Sequence, residues 1–189
     1  MTEDFLPKDY QPQAGASRYT KLQPGENKIR ILSKPILGHV FWERSDGTVK
    51  VYGDKNEQGD KPVRMRLEDS RPDKVKDPTS WKEFWAMCIY NYSSKEIEIL
   101  EITQVTIQRA IAELWHDEDW GSPRNYDLVI NRVEGEKTTY SVRAKPKSAF
   151  DAEVAKRFEE EEINLNALYE GKDPFKKEDL AETVAKNFK

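Results

Sequence analysis

Apolar and polar residues alternate around residues 28–32, near the start of the regular part of the chain. Ile29 and Ile31 fall on one side of an extended chain. Lys28 and Arg30 fall on the other side, which is the pattern of a half-buried strand. Pro35 cannot donate a ladder hydrogen bond, so a bend or bulge is expected there. The sequence therefore predicts a long bent strand that resumes at residues 40–42.

Two pairs of strand-like segments follow, each joined by a short polar link. Residues 84–92 and 97–103 are dense in aromatic and β-branched residues, and residues 126–133 and 138–145 repeat the arrangement. Between the pairs, apolar residues recur at helical spacing, and Thr103 is expected to cap that helix. The pattern thus predicts a hairpin, a helix and a second hairpin.

Three other regions are less regular. Residues 1–18 contain Pro and Gly at short intervals and indicate a flexible arm. Residues 45–80 contain two short strand-like stretches, at 49–52 and 63–67, and indicate an insertion between core strands. Residues 148–189 are predicted to be helical. Ser148 and Asp151 have the spacing of a capping box, so a helix is expected to begin there and to run into the acidic block 159–162. A second short helix is expected to end at Gly171, and a weak amphipathic stretch covers 180–188.

The order of these elements is that of an OB-fold, a five-stranded Greek-key barrel with a helix between strands 3 and 4. We therefore predict a mainly β protein with helices. Residues 19–147 would form the OB-fold domain with the insertion 45–80 after strand 1, residues 1–18 the arm, and residues 148–189 an acidic helical C-terminal extension. Other small barrels and α+β sheets share this order, and a fold does not fix a function.

Charge is distributed unevenly. The chain of 189 residues has 31 basic and 35 acidic side chains, and residues 148–189 hold 7 of the basic and 11 of the acidic ones, so the preceding body is neutral. No run approaches the roughly 20 apolar residues of a membrane helix, and the N-terminus lacks the layout of a signal peptide. We expect a cytoplasmic protein. With one cysteine and two histidines, we expect no disulfide, no metal and no cofactor.

Basic residues lie on one side of several predicted strands. Because successive side chains in a strand point to opposite faces, each set projects from a single face. Cations for phosphates and aromatic planes for unstacked bases are what sequence-tolerant single-strand binding requires. The candidate phosphate-binding residues are Lys28, Arg30, Arg64, Arg66, Arg143 and Lys145, and the candidate stacking residues are Trp42, Tyr90 and Tyr92. Solvated strand faces and aromatic core fillers are the alternative interpretation.

Several phrases of the sequence resemble a family of bacteriophage and prophage proteins. They are KLQPGENKIRIL (21–32), FWA (84–86), EITQ (101–104), DEDWG (117–121) and KPKS (145–148), within a likeness spanning about residues 19–175. That family is associated with single-stranded DNA-binding proteins of OB-fold type. The resemblance implies DNA binding during phage replication or recombination, in the cytoplasm of the host cell. Many such proteins end in an acidic tail that recruits enzymes and competes with DNA, whereas here the acidic block 159–162 is internal.

The resulting prediction is a single-stranded DNA-binding protein without enzymatic activity. Replication or recombination proteins would be further partners, bound through the C-terminal extension. The alternative is an interaction module of a phage replication complex with no nucleic-acid affinity, which the balanced charge of the body favours. A third hypothesis is a Mg²⁺-dependent nuclease acting through Asp117 and Asp119, although no second spaced carboxylate motif accompanies them.

Overall fold

Seven antiparallel strands form one open sheet in the structure, a computed structural model that describes residues 17–51, 54 and 60–176. The strands are β1 (Gly25–Ile31), β2 (Ile36–Glu43), β3 (Lys61–Arg66), β4 (Lys82–Asn91), β5 (Glu96–Ile102), β6 (Asp127–Val133) and β7 (Thr139–Ala144). Helix α1 (Val105–His116) follows β5, and α2 (Ala152–Glu161) and the 3-10 helix Leu165–Glu170 follow β7. The predicted mainly β class is confirmed. Among the described residues, no helix has the length and apolar content to cross a membrane.

β1 and β2 together form the predicted bent strand. β1 pairs with the end of β4 and β2 pairs with its beginning, both antiparallel. Between them, the N–H of Leu32 still donates to the carbonyl of Cys88 at 2.9 Å, and regular pairing stops before Pro35. Since proline has no N–H to contribute, the interruption lies where the sequence predicts it. β3 then pairs with the outer edge of β2, so the insertion adds a strand to the sheet.

Both predicted hairpins and the helix between them are confirmed, with one correction. β4 pairs with β5, β6 pairs with β7, and α1 separates the two pairs. The predicted cap at Thr103 is wrong: Gln104 occupies the N-cap position and makes no side-chain cap hydrogen bond. The reason is that Ile102 is still paired within β5, so the chain turns into the helix one residue later. Gln108 of α1 then donates to the carbonyl of Ile102 at 3.1 Å.

The less regular regions are only partly described. In the insertion, β3 confirms the second predicted strand, whereas Val49 makes a single bridge to Glu43 instead of a strand. Residues 52, 53 and 55–59 of the insertion lie outside the described residues, as do most of the predicted arm and the predicted stretch 180–188. Among residues 17–51, Tyr19 makes the first strand-like pairing, a parallel bridge to Ile99.

The beginning and end of the helical part after β7 follow from local capping. Asp151 is the N-cap of α2, and its side chain accepts the N–H groups of Glu153 and Val154. Gly171 ends the 3-10 helix Leu165–Glu170 with a φ of 66°, a left-handed conformation that glycine adopts without steric cost. The end at Gly171 agrees with the sequence prediction. The predicted capping box is wrong: Asp151 itself is the N-cap, so the helix begins three residues later than expected, and the Ser148 hydroxyl instead accepts a hydrogen bond from Arg30.

Two apolar cores lie on the two sides of the sheet. On one side, α1 packs over residues such as Ile29, Met87 and Ile89. On the other, the residues after β7 pack over a set that includes Phe84 and Cys88. We call residues 148–176 the C-terminal segment; its side chains at this core are Phe150, Val154, Phe158, Ile163, Leu165, Leu168, Tyr169 and Phe175. The second core was not expected from the sequence, because the alternation of β4 is compatible with one solvent-facing side.

The strand pairing agrees in part with the predicted barrel. Counting β1 and β2 as one strand, the core strands follow the spatial order β5, β4, β1/β2, β6, β7. Within the described strands, β5 and β7 do not pair with each other, so the sheet is open. Helix α1 contacts both of these strands and lies where the sheet is open.

Candidate nucleic-acid interface

Strand register places the predicted site residues of β1, β4 and β7 on one side of the sheet. Tyr90 stands opposite Arg30, and Arg30 stands opposite Asp127 on its other edge. Lys28 stands opposite Val129 of β6, and Val129 in turn stands opposite Arg143 of β7. Directly opposed residues in antiparallel strands project to the same face, so these four predicted side chains share a face.

The residues from β2 and β3 project from that same face. Gly38 stands opposite Phe84 in β4 and Arg66 in β3, and two residues farther along, Val40 stands opposite Arg64. Because Phe84 and Tyr90 are an even number of residues apart in one unbroken strand, they point the same way. We call this side the candidate face; its nine predicted members are Lys28, Arg30, Trp42, Arg64, Arg66, Tyr90, Tyr92, Arg143 and Lys145.

A buried carboxylate organises the centre of the candidate face. Asp127 receives Arg30 Nε at 2.6 Å and Lys28 Nζ at 2.9 Å. The hydroxyl of Tyr92 donates to the same carboxylate at 2.9 Å. Burial alone would raise the pKa of Asp127, but the hydrogen bonds from these three groups outweigh it and hold the pKa below its usual value. Asp127 is a residue that the sequence analysis missed, since it follows a turn with no periodic signal.

Tyr92 is held in place by this carboxylate. Burial, the hydrogen bond to Asp127 and the negative charge of Asp127 together raise the pKa of Tyr92 to about 12. Lys28 Nζ lies 4.0 Å from the centre of the Tyr92 ring, which is a cation–π geometry. Tyr92 is only partly buried, so the ring and the Lys28 ammonium together form a small cationic and aromatic surface.

Arg30 and Tyr90 lie under the C-terminal segment. Arg30 is 2% exposed, and its guanidinium donates to Ser148 Oγ at 2.9 Å. The Tyr90 ring meets that of Phe150 edge to face, with centroids 5.9 Å apart. Arg30 is therefore closed to DNA in this arrangement, and Tyr90 is only partly exposed. The alternation of β1 does not predict that Arg30 is buried, because its partners Asp127 and Ser148 are about a hundred residues away in the sequence.

The β2 and β3 end of the face is partly open. Trp42 is 45% exposed, whereas Arg64 Nε pairs with Glu101 at 2.7 Å. The guanidinium carbon of Arg66 lies 4.5 Å from the centre of the Tyr169 ring, which belongs to the C-terminal segment. At this end, Trp42 and Arg66 are both exposed, whereas Arg64 is partly buried.

The β1, β6 and β7 flank is the more open one. The side chains of Lys28 and Arg143 are 44% and 56% exposed. Arg143 pairs with Glu26, which is itself 62% exposed. Lys145 follows at the end of β7, and its backbone N–H donates to the carbonyl of Asp127 at 2.8 Å. This flank keeps three of the six predicted cations at or near the surface.

The sequence analysis missed a second basic surface beside this flank. A groove of about 460 Å³ is bordered by Arg124, Lys147 and the guanidinium of Arg30, and no Asp or Glu borders it. Lys147 continues the alternation of Arg143 and Lys145, a signal present in the sequence. Arg124 lies in the short 3-10 helix Pro123–Asn125, where no periodicity marks it.

Asp117 and His116, from the cluster considered for metal binding, make contacts with nearby backbone groups. Asp117 accepts the N–H of Asp119 at 2.8 Å, and His116 Nδ1 lies 2.7 Å from the carbonyl of Ala112. No group of three or more His, Cys, Asp or Glu side chains within the described part of the chain is arranged to hold a metal ion. Burial raises the pKa of the Cys88 thiol to about 11, so it is protonated at neutral pH.

Comparisons were made with protein-family models, with curated proteins and with solved structures. None of the three found a match to this chain.

Proposed function

We propose that the protein binds single-stranded DNA with little sequence preference, through the candidate face. The observation that carries the proposal is the convergence of all nine predicted residues on one side of one sheet, although they come from five different strands or the residues directly after them. Cations spread along a sheet can follow a phosphate backbone, and aromatic rings between them can stack on bases of any identity. The resemblance to phage proteins suggests a role in replication or recombination.

The strand order supports an OB-like interpretation of this sheet. In OB-folds, oligonucleotides bind to the face of strands 2 and 3 and to the adjoining loops. Here β4 and β5 take the positions of those two strands, with α1 following them. The outer side of β4 is the candidate face, so the predicted residues lie where an OB-like protein would bind its ligand.

In this arrangement the open flank is where DNA would first bind. Phosphates would contact Lys28, Arg143 and Lys145, and a base would stack on Tyr92. The backbone could continue into the groove bordered by Arg124 and Lys147, which adds two cations to the path. The insertion 45–80 contributes β3, which pairs with β2 beside the exposed Trp42 and would act as a flap along the bound strand.

Access to the centre of the face would require α2 to move. None of the ten residues of α2 is fully buried, in contrast to Leu165, Ala167 and Leu168 of the following 3-10 helix. Helix α2 also contains most of the acidic block 159–162, close to Arg30. We therefore expect DNA to compete with Ser148, Phe150 and the adjoining α2 for Arg30 and Tyr90, so that this part of the C-terminal segment would shield the centre of the face.

The test is a fluorescence titration with oligo-dT at low and high salt. Lys28→Ala combined with Arg143→Ala should weaken binding and reduce the slope of log K against log salt by about 1.4, at about 0.7 per lost phosphate contact on single strands. Arg109→Ala is the matched control, because Arg109 is an exposed cation on α1, on the other side of the sheet. An equal effect of the control would show that the face is wrong.

A second candidate function is the interaction module without nucleic-acid affinity. The observation that favours it is that Asp127, Glu101 and Glu26 already neutralise several predicted cations. Capture of a replication protein that depends on α2 and ignores oligo-dT, with no gel shift at low salt, would support it. A labelled oligonucleotide should stay intact after prolonged incubation with Mg²⁺, and its cleavage would favour the nuclease hypothesis.

A further inference from the structure

A second groove lies on the opposite side of the sheet from the candidate face. It has a volume of about 490 Å³ and lies between α1, the bend from β1 to β2, and the loop before β6. Its floor and walls are mainly apolar and include Trp85, Met87 and Ile111. We call it the α1 groove. Its size is within the range of sites that hold drug-sized ligands or a few side chains of a partner.

Large apolar side chains are exposed at the mouth of the α1 groove. Trp115 is 56% exposed and Leu37 is 37% exposed. Trp115 is one helical turn beyond Ile111, which is only 5% exposed. The apolar stripe of α1 therefore continues past the region that its own sheet covers. Clustered exposed apolar residues, and tryptophan above all, are typical of protein interfaces.

The charge around the α1 groove has one sign. Lys34 and Arg124 border it, together with His116, and no Asp or Glu is among the residues that form it. This composition contrasts with the net charge of −4 of the whole chain. A bound segment that carries carboxylates beside its apolar side chains would therefore match both the walls and the rim of the groove.

We propose that the α1 groove binds a short segment of a partner protein, in which one or two large apolar side chains are flanked by Asp or Glu. The apolar side chains would contact Trp85 and Trp115, and the carboxylates would meet Lys34 and Arg124. A peptide fits better than DNA, because two permanent cations beside a mainly apolar wall are too few to follow a phosphate backbone. The α1 groove and the candidate face lie on opposite sides of the sheet, so partner and DNA could bind together. Arg124 borders both this groove and the basic groove beside the candidate face, so it would pair with only one of the two ligands at a time.

The test uses a fluorescein-labelled peptide with Leu-Phe between pairs of aspartates, measured by fluorescence anisotropy on the full chain. Saturable binding is expected, and Trp115→Ser should weaken it about tenfold, as for an interface residue with a large contribution. Val105→Ser is the matched control: Val105 is 52% exposed at the other end of α1 and should leave affinity unchanged. Both sites are exposed, and circular dichroism would verify folding of each variant.

The charge requirement is tested separately with Lys34→Glu. This change at an exposed site should weaken the aspartate peptide severalfold and leave a version with serines in place of aspartates unaffected. Absence of saturable binding of the aspartate peptide up to about 1 mM would overturn the proposal, as would equal effects of Trp115→Ser and Val105→Ser. Loss of oligo-dT affinity in Trp115→Ser would also overturn it and assign the groove to nucleic acid. Normal peptide binding without oligo-dT binding would uphold this groove while refuting the proposed function.

Discussion

Replacing Arg30 with alanine should destabilise the protein by about 3 kcal/mol. Removing one partner of a buried ion pair costs about 3–5 kcal/mol, because the other charge loses its compensation. Arg30 is 2% exposed and donates to Asp127 at 2.6 Å. Asp127 would keep two partners, Lys28 and Tyr92, so we expect the lower end of that range. The same guanidinium bonds Ser148, so the C-terminal segment should also be held less firmly.

The assay is urea unfolding followed by tryptophan fluorescence and circular dichroism. Arg143→Ala is the matched control, because both Arg143 and its partner Glu26 are more than half exposed. Such a surface pair contributes about 0–1 kcal/mol. If Arg30→Ala changes the free energy of unfolding by less than about 1 kcal/mol, or no more than the control does, the assignment of Arg30 as a buried structural residue is refuted.

A double-mutant cycle separates the pair from its surroundings. Asp127→Asn removes the carboxylate charge while keeping a side chain of similar size. In the presence of Arg30→Ala it should cost less than it does alone, because each single change leaves an uncompensated group behind. Strictly additive changes in unfolding free energy would mean that the two side chains do not interact.

Three further predictions concern stability and reactivity. Gly38→Ala should destabilise the fold by about 3 kcal/mol in urea unfolding, since an added Cβ would lie 2.0 Å from the carbonyl oxygen of Met65. Gly135→Ala should stay within about 0.5 kcal/mol, because the atom nearest to its added Cβ is the carbonyl oxygen of Lys137, at an ordinary contact distance of 3.8 Å. Similar effects at both glycines would contradict the close β2–β3 approach. Cys88, which is 1% exposed with a pKa of about 11, should react with a thiol reagent at pH 8 only after unfolding; rapid labelling of the native protein would disprove its burial. The pKa of Asp127 is lowered in the folded protein, so its contribution to stability is present above the ordinary carboxyl pKa of 3.8 and is lost as pH falls through the folded pKa. The free energy of unfolding of Asp127→Asn should therefore depend less steeply on pH in the acid range, and an unchanged pH dependence would contradict this.

The strands could be predicted from the sequence because their signals are local. Alternation marks β1, aromatic and β-branched residues mark β4, β-branched residues mark β5, and Pro35 marks the bend between β1 and β2. The side on which each residue lies within its own strand also follows from alternation. That all nine residues share one face depends on the register between the strands, which the structure supplies. The closure of the barrel does not follow, because it depends on whether two distant edge strands meet.

The accessibility of the site could not be predicted in the same way. Alternation separates Tyr90 from Met87 but does not tell whether the side with Tyr90 meets water or another segment. That depends on Phe150 and Leu165, whose positions over the sheet are fixed by tertiary packing. The ion pairs are likewise fixed by tertiary packing and could not be predicted. Arg30 and Asp127 are 97 residues apart, and no local pattern connects them.

The central claim is tested most directly by titrating the full chain with oligo-dT across a range of salt concentrations. We expect binding at low salt that weakens steeply as salt rises. The slope of log K against log salt should be smaller when Lys28 and Arg143 are both replaced by alanine. An unchanged fluorescence signal and no mobility shift at low salt would contradict it.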